Sequence, residues 1–494
     1  MLTRSARHWI NIERRRLPVA LFTLVVCLLS AALGHVVANG IISARAWFVG
    51  GLTIVSLHVI SRYLPALVSQ LTHWNVAKLL WLLLLLSSLT FRVRSSLDVV
   101  ANPFDRAALL RIGLVGSAAL ILVLVTLAGK NDLLSPLVSG PFALLTIFGL
   151  TNIASTAWSS YPAWTLYRSI EYFVDASAAA YVAYYAKNLE KIREIFNWSW
   201  LLISTILISV ILGALYAPER AIVRGLGVIG FSLEGVFPAV ARNSVGQFAS
   251  IIVLVSFVRL LSRNDQKLLN ITLLLLSLVL LIIAQTRSAI LPVLVAVPLL
   301  LILTRHWRTL LILAVVAMAI ILLSSTGNVL EDYLRRGQQD DQIASLTGRV
   351  DWWQLGIHAW KDRPFSGFGA FTAGRFIVGR EFSETLSSTH STYVEVLLGT
   401  SFWGLIPLLA LIATIWGSLI AEQFRLTRHA NADALRLSLN SEAIAVMCVL
   451  TVRSFFSVPM IWHFPFDFLL IVIYVSYLRR RRTADNPPPI GSSQ

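Results

Sequence analysis

Hydrophobic and polar positions alternate along this chain on the scale of whole helices rather than single turns. Apolar runs such as Leu79 to Leu89 and Leu268 to Ala284 leave no polar face to meet water, and lipid offers a backbone no hydrogen-bond partners, so such runs must be helices. The expected fold is an all-α polytopic membrane protein with about 12 to 14 spans. Candidates lie at 17–38, 46–64, 75–91, 107–128, 136–150, 165–186, 198–216, 244–258, 268–284, 288–303, 309–325, 393–421, 440–457 and 463–478. The fifth, with Pro136, Gly140 and Pro141, is the weakest.

Between these runs two connections stand out, 217–243 and the much longer 326–392. A structureless connection of the second length is uncommon unless it is functional or separately folded. The expected organisation is a basic N-terminus at 1–16, a transmembrane bundle at 17–325, an external loop at 326–392, further spans at 393–478 and a disordered tail at 479–494. The run 17–38 is too long for a usual signal core and reads as a retained span.

Composition agrees with the pattern: 56% of the 494 residues are hydrophobic and 13% charged. The net charge of +16 suggests nucleic acid until its distribution is considered. Lys187, Lys191, Arg193, Arg259, Arg263, Lys267, Arg305, Arg308, Arg425, Arg428, Arg436 and the run Arg479 to Arg482 fall just beyond span ends on one side, which is positive-inside anchoring. Arg92, Arg94 and Arg106 fall on the other side and disagree with that scheme. This parity puts both long connections outside the cytoplasm. Cys27 and Cys448 sit inside spans, so no disulfide framework or thiolate metal site is indicated.

The chemistry-bearing residues gather at the external edges. Val350, Trp353, Ile357 and Trp360 recur at helical spacing, after Thr347 as an expected cap and before Pro364, which predicts an amphipathic helix. With Trp352 it suits either the headgroup layer or packing onto the loop itself. Arg349 falls in its first turn, suiting a headgroup or a bound anion. Arg287, in Gln285-Thr286-Arg287-Ser288, is fixed at a tight turn between two apolar runs, either as a snorkelling helix-end arginine or as a phosphate partner.

Arg168, Glu171 and Asp175 share one face of the sixth span, which fits a structural ion pair or a substrate cavity. Arg453, also inside a span, is read in the same two ways. The segment with Arg224, several glycines and Pro238 reads as an irregular lip ending at Asn243, a helix cap or a hydroxyl ligand. His390 closes the long loop among Ser391, Thr392, Tyr393 and Glu395, neighbours able to set its tautomer or basicity, a composition that suits a general base. No spacing of His, Cys, Asp and Glu commits to a metal site, and no Gly-rich phosphate loop is present.

Three elements together resemble the superfamily of bacterial O-antigen ligases and O-antigen or exopolysaccharide polymerases: Thr286-Arg287-Ser288, Gly348-Arg349 followed by Trp353, Pro364, Gly367 and Gly369, and His390-Ser391 followed by Tyr393-Val394-Glu395. The resemblance covers about 200–460. It implies a multi-pass protein of the bacterial inner membrane that joins a glycan from an undecaprenyl diphosphate carrier to a sugar hydroxyl of a glycan or lipid-A-core acceptor on the extracytoplasmic face. No cofactor, nucleotide or metal is implied. In that scheme Arg287 and Arg349 hold the diphosphate, His390 is the base, displacement inverts the anomeric carbon, and Asn243 matches an asparagine of unassigned role. Ser391, Gly399 and Ser401 depart from the family pattern, while Glu395 leans towards the polymerase members. Two other classes remain in view: a transporter or flippase of lipid-linked saccharides, in which His390 only gates, and a scaffold for polysaccharide export partners.

Overall fold

The computed structural model describes residues 75–89, 105–128, 134–224, 229–262, 266–323, 332–333, 335, 348–382, 388–428, 433–461 and 465–485. The spans expected at 17–38 and 46–64, Arg92, Arg94, Thr347 and the tail after 485 lie outside them.

Among the described residues thirteen main helices run in order: α1 Val76–Ser87, α2 Arg106–Leu127, α3 Gly140–Ala154, α4 Pro162–Tyr185, α5 Leu189–Tyr216, α6 Arg242–Leu261, α7 Lys267–Ile283, α8 Arg287–Leu303, α9 Trp307–Leu323, α10 Arg349–Lys361, α11 Thr392–Arg428, α12 Ala434–Ser454 and α13 Phe466–Asp485. Six helical stretches among the described residues are long and apolar enough to cross a membrane, and four shorter apolar ones accompany them. The protein is therefore an all-α polytopic membrane protein. Side-chain caps set several starts: Asp105 accepts from the Ala108 N–H at 2.8 Å, and Asn188 from the Lys191 N–H at 3.0 Å. The Asn188 cap begins α5 well before the expected 198, on an amphipathic turn that hydropathy alone passes over.

The lip is more ordered than its glycines suggest. Strands β1 Ile222–Arg224 and β2 Phe231–Leu233 form an antiparallel hairpin with Arg224 opposite Phe231. The Phe231 carbonyl accepts from Gln285 Nε2 at 2.7 Å, docking the hairpin on the α7–α8 turn. The expectation of an irregular segment is corrected here: cross-strand backbone pairs supply the order that side-chain patterning does not show.

The expected span 393–421 is also corrected. α11 runs to Arg428 and is broken at Ser401, whose φ of 55° and ψ of −147° are not helical. The break frees the carbonyls of Leu398 and Gly399, which accept from the N–H groups of Phe368 and Gly369 at 2.9 Å each. At Gly367 (φ 67°) a Cβ would lie 2.6 Å from both carbonyl oxygens, so only glycine lets the loop approach. From the other side, Trp158 Nε1 donates to Ser366 O at 2.6 Å and Trp164 Nε1 to Phe371 O at 3.0 Å. Residues 364–371 are thus clamped between the α3–α4 corner and the broken start of α11.

α10 settles onto this platform instead of standing apart. Trp352, Leu355 and Trp360 pack on Ala373, Val378 and Leu398, and Trp353 Nε1 donates to Thr389 O at 2.9 Å. Of its two expected settings, the packed one is found. Its cap is Gly348, in the left-handed region at φ 80°, not the expected Thr347.

At the opposite end of the bundle lie many of the arginines expected to mark the cytoplasmic side. Two fully buried carboxylates collect several: Glu442 takes Arg193, Arg259 and the Trp200 indole N–H, and Glu422 takes Arg425, Arg436 and Arg482. Part of that basic count is therefore neutralised inside the protein.

Candidate functional site

Helix polarity decides what meets at the other end. α6, α8 and α11 begin there and α12 finishes there, so Asn243, Arg287, His390 and Arg453 come from four helix ends, and α10 delivers Arg349 from above. α6 and α8 approach closely because a Cβ at Gly246 would lie 2.9 Å from Ala289 Cβ and 3.0 Å from Thr286 Cβ. Ser250 Oγ then donates to Ala289 O at 2.6 Å.

Arg287 and Arg349 are each the first residue of a helix. That end is already the positive pole of the backbone dipole, with N–H groups lacking intrahelical acceptors, so an arginine there adds charge where an anion is favoured. Arg287 Nη2 donates to Arg335 O at 3.2 Å. The Arg349 guanidinium is held below its ordinary pKa by burial and then by the charge of Arg287, so the two act on each other. Arg453 is 1% exposed, yet it extends Nη1 to Ser288 Oγ at 3.4 Å, beside Arg287.

His390 sits in the left-handed region at φ 55°, costly for a residue with a side chain unless its surroundings over-determine it. They do. Its N–H donates to Ser388 Oγ at 3.3 Å, the Thr389 N–H to Glu395 Oε2 at 2.8 Å, and the Thr392 N–H to Ser457 O at 2.9 Å. The imidazole lies 5.4 Å from the Trp352 ring, centroid to centroid. Burial, then Arg349 and Arg453, push its pKa down to about 4. At neutral pH it is an uncharged imidazole, and a weak base while the site is empty.

That depression sets two signs. The unfolded chain binds a proton at His390 below its ordinary 6.5 while the folded protein resists until about 4, so stability from this group falls as pH drops through that window. An anion bound between the arginines would offset their charge and raise the histidine pKa. The acid limb of kcat/KM, which reports free enzyme, is expected near pH 4, and that of kcat at higher pH. Coincident limbs in a pH–rate series would contradict this coupling.

Two expected helpers do something else. Glu395, 1% exposed, accepts from the N–H groups of Thr389 and Gly374, the latter at 3.2 Å. It fixes the backbone beside His390, whereas the neighbour-in-sequence argument gave it the imidazole. Tyr393 packs on Phe455 with centroids 5.0 Å apart. Glu395→Gln puts an amide N–H against one of two buried N–H donors, so an activity loss accompanied by about 1–3 kcal/mol of destabilisation is expected in thermal unfolding.

Asn243 is likewise not the helix cap. Ala241 occupies that position, and Asn243 Oδ1 lies 3.5 Å from Thr286 Oγ1, next to Arg287. Arg224 is exposed on the hairpin docked at the same turn. Arg168 enters a different constellation, pairing with Glu171, which also takes Arg111, and lying over the Phe371 ring at 5.5 Å. Gln247, bonded to Arg453, and Asp467, bonded to Gln247, were not singled out from sequence. The available signal was Gln247 one helical turn after Asn243.

Fold and site together define a polytopic helical membrane protein that gathers arginines and a neutral histidine at one end. Residues 272–432 match the family model described as O-antigen ligase, a stretch that contains Arg287, Arg349, His390, Tyr393 and Glu395. Through this region, about a third of its length, the chain is similar to the O-antigen ligase family, whose activity is of the glycan-transferase type. A search of curated proteins returns no match.

Proposed function

We propose that this protein joins a glycan carried on undecaprenyl diphosphate to an acceptor sugar hydroxyl, at the extracytoplasmic face of the bacterial inner membrane. The observation that carries this reading is a half-buried, neutral histidine within electrostatic reach of one helix-start arginine, Arg349, which in turn feels a second, Arg287. Arg287 and Arg349 grip the diphosphate, whose negative charge grows as the anomeric carbon–oxygen bond breaks. His390 takes the proton of the acceptor hydroxyl as that oxygen attacks the opposite face of the anomeric carbon. The glycosidic bond forms with inversion, and carrier diphosphate leaves with the bonding pair. The donor is already activated, so neither nucleotide nor metal is called for.

Asn243, beside Thr286, steadies the turn that carries Arg287. Tyr393, packed on Phe455, and Arg224, exposed on the hairpin, are supporting residues in this reading, and Arg168 pairs with Glu171 within α4.

Glycolipid analysis of a deletion strain tests the reading and separates its two forms. Loss of a ligase leaves bare acceptor beside carrier-linked polymer, whereas loss of a polymerase leaves acceptors bearing single repeats. An unchanged glycolipid pattern would reject both. Donor trapped on the inner leaflet would favour the flippase class instead.

A further inference from the structure

The structure points to Arg453 as a third ligand of the diphosphate, and to Gln247 and Asp467 as the residues that aim it. This rests on the transfer reading above and adds three residues outside the region matched by the family model.

The three form a line across α12, α6 and α13. Arg453 Nε donates to Gln247 Oε1 at 3.0 Å, and Gln247 Nε2 donates to Asp467 Oδ2 at 3.0 Å. Asp467 is fully buried, Gln247 9% exposed and Arg453 1% exposed. Buried carboxylates and guanidinia ordinarily pair directly, and a direct pair commits the guanidinium to its partner. Here an amide stands between them, so the carboxylate offsets the cost of burying Arg453 from one residue further away.

The carboxylate also sets the direction of the amide. Asp467 Oδ2 takes the NH2 end of Gln247, which turns the amide oxygen towards Arg453. The other acceptor on Arg453, Ser288 Oγ at 3.4 Å, is neutral too. Among the described residues two of its five guanidinium donors are used in this way, and three remain.

Their position matches the site. Ser288 directly follows Arg287, and both His390 and Arg349 lie within electrostatic reach of Arg453. Arg349 thus acts on both Arg287 and Arg453, Arg453 reaches the residue next to Arg287, and a diphosphate offers acceptors enough to meet all three.

Inorganic pyrophosphate is a suitable probe, titrated into purified full-length protein in lipid nanodiscs. Arg453→Gln is expected to weaken binding about tenfold and Gln247→Met about threefold, with the double variant no weaker than Arg453→Gln alone, since Gln247 acts through Arg453. Arg453→Lys, which keeps the charge, should recover part of the affinity and shows that the site folds without arginine. Gln247→Met should raise the KM for donor while leaving kcat within about twofold. Additive losses in the double variant would overturn the aiming role. Unchanged binding in Arg453→Gln, with Arg287→Lys still weakened, would overturn the third-ligand role and leave the transfer reading standing. If Arg287→Lys and Arg349→Lys also bind as wild type, both inferences fall together.

Discussion

Replacing His390 by alanine is expected to lower the turnover of glycan transfer about 100- to 10,000-fold while donor binding stays near wild type. The reasoning begins at the backbone. A residue at φ 55° is retained only when several contacts hold it, and here Ser388, Glu395 and Ser457 all do. What this arrangement presents is an imidazole kept neutral by burial and by two guanidinia. Such a group is a weak base in the empty site and a stronger one once the diphosphate offsets those charges, so its basicity rises when the donor is in place. Alanine removes the proton acceptor without removing an anion ligand. The measurement is transfer rate beside donor affinity in the same preparation. Loss of affinity with little loss of turnover would mean that the histidine binds substrate and does not move a proton.

The second large effect concerns the pair of helix-start arginines. Lysine at position 287 or 349 preserves one positive charge and loses the planar fork that meets two phosphate oxygens at once. Each such charge-assisted contact is worth about 1.5–3 kcal/mol, so each single substitution is expected to reduce kcat/KM about 10- to 100-fold. Arg287 and Arg349 already act on each other in the empty site, and both grip one diphosphate, so their losses are coupled. The double substitution is expected to cost less than the two single losses combined. Wild-type turnover in both lysine variants would remove the diphosphate clamp from the account.

Much of the architecture was legible from hydropathy, because a lipid-facing helix has no way to hide its composition. The expected spans from 75 onward each coincide with a helix, and the stretch from Val350 to Trp360 is helical as its periodicity indicates. What stayed hidden depends on partners distant in sequence. The break at Ser401 makes sense only beside Phe368 and Gly369, whose N–H groups take the freed carbonyls. The hairpin at Ile222–Leu233 is held by backbone pairing.

Local chemistry misled in similar ways. Asn243 is a good capping residue two places too late, and its side chain turns to Thr286. Glu395, near His390 in sequence, is occupied by two backbone N–H groups. The residue types of the candidate site, Arg287, Arg349 and His390, were visible as charges at apolar boundaries. Their convergence was not, because it depends on which helices begin and end at the same face. The Arg453–Gln247–Asp467 line was the least visible, since its three members come from three helices and Gln247 is uncharged.

The central claim is that one end of this bundle transfers a glycan from a diphosphate carrier, using the arginines to hold and the histidine to take a proton. Its most direct test reconstitutes the purified protein with an undecaprenyl-diphosphate-linked glycan and an acceptor, and follows joined glycan and released carrier diphosphate together. One carrier diphosphate released per linkage formed, with both products lost in His390→Ala, is the result this account requires. Linkage formed at the wild-type rate by His390→Ala, or carrier that never appears as free diphosphate, would contradict it.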